Sequence, residues 1–84
     1  MPTNSQSSST INNTYFFEIQ LVGRKTYTSG RYPESNYTGF IKACERKIQE
    51  FKRTKQFLDV KICYTTEFGN TFVREPEHGE LLGW

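Results

Sequence analysis

The stretch from Asn36 to Thr54 (NYTGFIKACERKIQEFKRT) constrains this chain more than any other. Tyr37, Phe40, Ile41, Cys44, Ile48 and Phe51 follow one another at steps of three, one, three, four and three. That spacing draws an apolar stripe along one side of an α-helix. Lys42, Glu45, Arg46, Gln49, Glu50, Lys52 and Arg53 fall on the opposite side. Ser35 or Asn36 supplies an N-cap oxygen, and Glu34 stands at the favourable end of the helix dipole. Gly39 weakens the first turn by up to about 1 kcal/mol. Arg46 and Glu50 form an i,i+4 pair, and Lys52, Arg53 and Lys55 complement the C-terminal end. A stripe of this length requires an apolar surface to cover, and the flanking segments supply it as strands.

Tyr15–Val22 (YFFEIQLV) alternates with period two, Tyr15, Phe17, Ile19 and Leu21 on one face and Phe16, Glu18, Gln20 and Val22 on the other. Thr26–Thr28 forms a second strand or an extension of the first, and Ser29-Gly30 marks a turn. After the helix, Leu58, Val60, Ile62 and Tyr64 alternate with Asp59, Lys61, Cys63 and Thr65. Gly69-Asn70 then reads as a two-residue hairpin turn, with Phe68 opposite Thr71 and Thr66 opposite Val73. Pro76 stops the ladder. The expected fold is α+β: a single amphipathic helix packed on one face of a small, three- to four-stranded, largely antiparallel sheet, in the order β-(β)-α-β-β.

A chain of 84 residues holds one domain. The first fourteen residues, rich in Ser, Thr and Asn and without charge, read as a disordered N-terminal arm. The α+β domain then spans 15–75, and 76–84 is a C-terminal tail. All seven Phe, all five Tyr and the Trp lie beyond the arm, and they are the main source of burial. No apolar run reaches the roughly 20 residues of a membrane span. The N-terminus lacks the pattern of a signal peptide, and two scattered cysteines do not form a disulfide framework. A cytoplasmic chain with no membrane partner is the expectation.

Catalysis has little to work with. The one histidine, His78, lies in a polar segment past the last strand, without an orienting group or a shielded pocket. One His and two separated Cys do not make a tetrahedral metal site. The six glycines stand singly at turns, so no phosphate loop is present. No catalytic residue, metal or cofactor is assigned, and the chain reads as a non-enzyme. Cys44 belongs to the helix stripe; Cys63 faces the other side of the sheet, exposed if that side is open.

Two binding surfaces remain. Phe16, Val22 and Phe72 project from the sheet face away from the helix, and Leu81, Leu82 and Trp84 form an apolar terminal anchor. The alternative for Leu81 and Trp84 is to fold back over that same face. Together these six residues suggest a protein partner or a second copy of the chain. The second surface is basic and aromatic. Arg24, Lys25, Tyr27, Arg31 and Tyr32 interleave cations with rings, a pattern that suits RNA or DNA: cations neutralise phosphates while rings stack on bases. Residues 24–55 carry nine of the eleven basic groups and three acidic ones, against two basic and five acidic in 56–84. The net charge of +2 is well below the balance usual in nucleic-acid binders.

The strand YFFEIQLVG, a following helix and the strand DVKICY resemble the small linker domains of phycobilisomes, over roughly residues 15–64. Lys55-Gln56-Phe57 stands where those domains have a Gly-Gly turn. The resemblance implies protein–protein linkage through the sheet and loops. The leading expectation is therefore a small protein-binding module, an accessory, regulatory or linker subunit of a larger assembly. Nucleic-acid binding through 24–32 and the basic helix face is the alternative, and a phycobilisome-type linker a minor one.

Overall fold

The structure, a computed structural model, describes residues 13–84. The arm proposed for residues 1–14 thus lies outside the described residues except for Asn13 and Thr14. In chain order the elements are β1 (Thr14–Leu21), β2 (Lys25–Thr28), β3 (Tyr32–Pro33), a 3-10 turn (Glu34–Asn36), α1 (Tyr37–Arg53), β4 (Phe57–Thr65) and β5 (Thr71–Arg74). One helix lies on a five-stranded, wholly antiparallel sheet in the order β2-β1-β4-β5, with β3 pairing the start of β1 beyond the end of β2. The α+β architecture follows the sequence pattern, with two more pieces of strand than its lower count.

β1 is central because its helix-side residues, Phe17, Ile19 and Leu21, have partners on both sides. Phe17 and Ile19 face Ile62 and Val60 across β4, and Ile19 faces Tyr27 across β2. These residues, with Phe40, Cys44 and Ile48 from α1, form the buried core, and Ile41 and Phe51 flank it half-buried. Each fully buried aromatic or branched side chain contributes about 1.5–3 kcal/mol relative to exposure. Burial on the helix side, rather than propensity alone, is what holds the 17-residue helix in place.

Both helix ends are sealed locally. Asn36 is the N-cap, its side-chain oxygen accepting from Gly39 N–H at 3.3 Å. A Cβ at Gly39 would lie 2.6 Å from the Asn36 amide nitrogen, so the residue that weakens the first turn also makes room for the cap. At the other end Gln56 N–H donates to Phe51 O at 2.8 Å and Lys55 N–H to Lys52 O at 3.0 Å. That is a Schellman closure, with Lys55 in the left-handed conformation (φ 61°) that glycine adopts at lower cost. On the solvent face the ion pair formed is Lys47–Glu50 at 3.2 Å, in place of the expected Arg46–Glu50 pair.

Two strand registers differ from the alternation read in the sequence. A bulge between Gln20 and Leu21 sets Leu21 opposite Phe57, so Phe57 packs on the core and Leu58 turns outward, 61% exposed. The β4–β5 hairpin also closes differently. Thr66 N–H donates to Asn70 O at 2.8 Å and Gly69 N–H to Thr66 O at 2.9 Å, with Gly69 at φ 91°. This is a three-residue loop with a glycine bulge rather than a two-residue turn at Gly69-Asn70. The pairs become Thr65–Thr71, Tyr64–Phe72 and Cys63–Val73. Shifting register by an odd number of residues exchanges the two faces of β5. Phe72, expected on the outer face, therefore sits on the helix side, Val73 takes the outer face, and Phe68 leaves the ladder, 85% exposed in the loop.

The outer face is not open at its centre. Phe16 is 9% exposed and Cys63 1%. The two are direct cross-strand partners, and the Arg31 guanidinium lies 4.7 Å above the Phe16 ring while donating to Thr65 Oγ1 at 2.9 Å. Arg31 arches over the pair as a polar lid, a cation–π contact made at the surface. Cys63 is thus buried, and both Phe16 and Cys63 belong to a small second core.

The tail packs on the flank of α1 rather than on the outer sheet face or into solvent. Leu81 is 6% exposed within the main core, and Pro76 is buried. Glu80 anchors it: Arg74 donates to both its carboxylate oxygens at 2.8 Å, Glu77 N–H adds a bond of 2.8 Å, and the Tyr37 hydroxyl donates to it as well. Leu82 N–H donates to Glu45 at 2.8 Å, and Lys52 donates to Gly83 O. Only Leu82 (73% exposed) and Trp84 (43%) keep large apolar surface.

Candidate functional site

The two sequence-proposed surfaces do not survive as units. Of the six apolar residues, Phe16 and Leu81 are buried. Val22 lies in the β1–β2 loop near the bulge, its N–H donating to Gln56 O, while Phe72 stands at the other end of the sheet on the helix side. Leu82 and Trp84 follow the helix flank. The basic-aromatic group is split by the sheet. Tyr27 packs against Phe17 and Phe51, ring centroids 6.0 and 5.7 Å apart, and Tyr32 against Phe40 at 6.0 Å, all on the helix side. Arg31 lies on the outer side over Phe16, and Arg24 and Lys25 sit at the β1–β2 turn. The tyrosine rings cap the core on the helix side, the face that Lys25 shares as the partner of Leu21, while Arg31 lies on the opposite face.

What the fold brings together instead is the β4–β5 hairpin. Phe68, Phe72 and Val73 are exposed by 85, 59 and 58% on this one element. β5 is an edge strand, and its ladder phase can be worked out. The Thr66–Asn70 bond makes that pair a closely bonded one, so alternation puts the next β4–β5 bonds at Tyr64–Phe72 and Ile62–Arg74. The N–H and C=O groups of Thr71 and Val73 then point away from β4. Among the described residues no hydrogen bond reaches them. Phe72 and Val73 lie on opposite faces of this free edge.

Phe72 also forms one wall of a hollow of about 330 Å³ lined by Tyr15, Glu34, Tyr64 and Arg74. Tyr15 is held by Phe40 and Tyr37 at 5.1 and 5.2 Å and lies 5.0 Å from Tyr64. Glu34, presented by the 3-10 turn, accepts from the Tyr64 hydroxyl and from the Asn13 amide, both at 3.1 Å. Burial first, then the bond to Glu34, raises the Tyr64 phenol above its ordinary value. A second hollow, of about 230 Å³, adjoins on the far side of Glu34, lined also by Asn13, Pro33, Ser35 and Glu67. The charge of Arg74 is spent on Glu80. Its hydrogen bonds hold the Glu80 carboxyl down at about 2, and Arg74 itself is raised by the same contact. The free charges lining the two hollows are those of Glu34 and Glu67.

Burial pushes Cys44 up to about 12 and Cys63 up to about 11, so neither thiol is a nucleophile at neutral pH. Among the described residues no group of three or more His, Cys, Asp or Glu is placed to hold a metal ion, and no helix is long and apolar enough to cross a membrane. Comparison with protein-family models, curated proteins and solved structures returns no significant match.

Sequence reasoning missed the edge because it mispaired the hairpin. The signal was present in Glu67-Phe68-Gly69, where one glycine at the left-handed third position fits a three-residue loop as well as a two-residue turn.

Proposed function

We propose that this chain is a non-enzymatic protein-binding module that works in the cytoplasm as an accessory, regulatory or linker subunit, and that it docks its partner along β5. The carrying observation is the edge at Thr71 and Val73, unpaired among the described residues and flanked by exposed Phe72 and Val73 side chains on its two faces. An extended segment added there gains main-chain hydrogen bonds from the edge and side-chain contacts from both faces. A linker of the phycobilisome kind would be one instance of this mode. The nucleic-acid alternative loses its main support, since Tyr27 and Tyr32 are committed to the core rather than free to stack.

The test compares the native protein with Val73→Pro, which removes one outward N–H and leaves the β4 ladder intact. A stoichiometric partner should be recovered with the native protein and lost with the variant. Affinity for RNA or DNA that falls steeply with salt, and disappears on charge reversal of Arg24, Lys25 and Arg31, would overturn the reading.

A further inference from the structure

We propose that the hollow beside Phe72 receives an arginine side chain from the segment that docks on β5, so that the edge supplies affinity and this hollow supplies selectivity. The inference rests on the docking reading above and adds to it the chemistry of the partner.

Three observations converge on a cation. Tyr15, Tyr64 and Phe72 present aromatic rings to one hollow, and ring faces attract a guanidinium or ammonium. Glu34 stands on the boundary between that hollow and its neighbour, and the neighbour adds Glu67. The one cation on the wall, Arg74, is bound through its two terminal guanidinium nitrogens to Glu80 in the tail. Its charge is matched, leaving Glu34 unopposed by any basic group in either lining. Two of the Glu34 lone pairs take the Tyr64 hydroxyl and the Asn13 amide, which fixes the carboxylate in place and leaves further acceptor capacity.

The rings are also ordered before any ligand arrives. Tyr15 is fixed by Phe40 and Tyr37, and Tyr64 by Tyr15 and Glu34, so little ordering remains to be done on binding. Guanidinium is favoured over ammonium because its plane stacks on a ring while its edge still donates to a carboxylate. The position relative to the edge is suitable. Phe72 is the helix-side residue of β5, so a segment paired alongside sends alternate side chains to this side, where a long one reaches back over Phe72.

The probe is a set of four pentapeptides, Val-Thr-Xaa-Thr-Val with Xaa as Arg, Lys, Glu or Ala, titrated into the intact protein and followed by amide and aromatic-ring NMR shifts. The Arg peptide should perturb the Val73 and Thr71 amides together with the Tyr15, Tyr64 and Phe72 rings, binding at least about fivefold tighter than the Ala peptide. Glu34→Gln keeps an acceptor for Tyr64 but removes the charge; it should abolish most of that preference while leaving the Ala peptide unchanged. Phe72→Ala, at an exposed site, should weaken the Arg peptide without unfolding the protein. Equal binding of all four peptides at the edge, or of the Arg peptide to Glu34→Gln, overturns the arginine inference and leaves edge docking standing. Ring shifts without edge amide shifts overturn the pairing of the two. No shift with any peptide, or dimerisation of the free protein through β5, overturns the inference as stated.

Discussion

The two edges of this sheet differ in how continuous they are and in the side chains they carry. On one side the edge is broken into β2 and β3, four and two residues long, interrupted by Ser29-Gly30-Arg31 and closed by Pro33. Lys25 starts it and Tyr27 turns its ring inward under the Lys47 ammonium, 5.0 Å from the ring centre. Short strands, a proline and charge are the devices by which proteins blunt an edge against unwanted pairing. On the other side β5 is likewise four residues long and stops before Pro76, but it is uninterrupted, carries an exposed phenylalanine and an exposed valine on its two faces, and turns the Thr71 and Val73 backbone groups away from β4. Among the described residues no strand pairs with the outer side of β5, and the docking proposed above rests on that difference between the edges. Both edges lean on the same core, so a core mutation should affect both, whereas a mutation confined to the outer side of β5 should affect docking alone.

The largest effect should come from the shared core. Ile62→Ala, at a fully buried site, should destabilise by about 3–4 kcal/mol in denaturant unfolding, and binding should fall only as folding does. Prolines discriminate next. Phe72→Pro removes an inward N–H from the ladder and should cost about 2–3 kcal/mol, whereas Val73→Pro, one residue on, should cost less than about 1 kcal/mol while abolishing docking. Similar losses at the two sites would break the ladder phase from which the free edge is derived.

The tail clamp comes third. Glu80 is 9% exposed in its side chain and paired with Arg74 and Tyr37, so Glu80→Gln should destabilise by about 2 kcal/mol. The pH dependence has a definite sign. The hydrogen bonds from Arg74 hold the folded Glu80 carboxyl down at about 2 from its ordinary 4.5, so its stabilisation is complete above about pH 5 and is lost as pH falls towards 2. Burial, then the bond to Glu80, lifts Tyr37 from 10.0 to about 12, so that contribution is complete below about pH 9 and is lost as pH rises through about 12. Unfolding midpoints measured from pH 2 to 7 should show the acid limb in the native protein and a weaker one in Glu80→Gln. The smallest effect is a control on the comparison. Lys55→Gly relieves a left-handed lysine at the helix end and should stabilise by about 1 kcal/mol without altering binding at either edge.

Much of this fold is legible one element at a time. The apolar stripe of α1, the alternation of Phe17, Ile19 and Leu21, and that of Val60 and Ile62 each follow from a local period that no alternative packing disturbs. The candidate site is legible only in fragments. Phe72 could be marked as a large apolar residue near a turn, but its face depends on whether the hairpin loop holds two residues or three. Arg31 and Tyr32 are adjacent in sequence, yet the sheet carries them to opposite sides, and no spacing rule separates a cation that binds phosphate from one that covers a phenylalanine. Glu34 reads as a helix-dipole acid and becomes the wall of a hollow, because Tyr64 and Asn13 arrive there from distant parts of the chain.

The sequence by itself determined the helix, the two long strands and most of the side chains of the main core, because periodicity is a property of neighbouring residues; Leu81 and Phe57 joined that core only through tertiary contacts. Tertiary structure decided which surface would be left to bind. Register, the bulge at Leu21 and the capture of Glu80 by Arg74 are set by contacts between residues far apart in the chain, and a shift of one hairpin bond turns an inward residue outward.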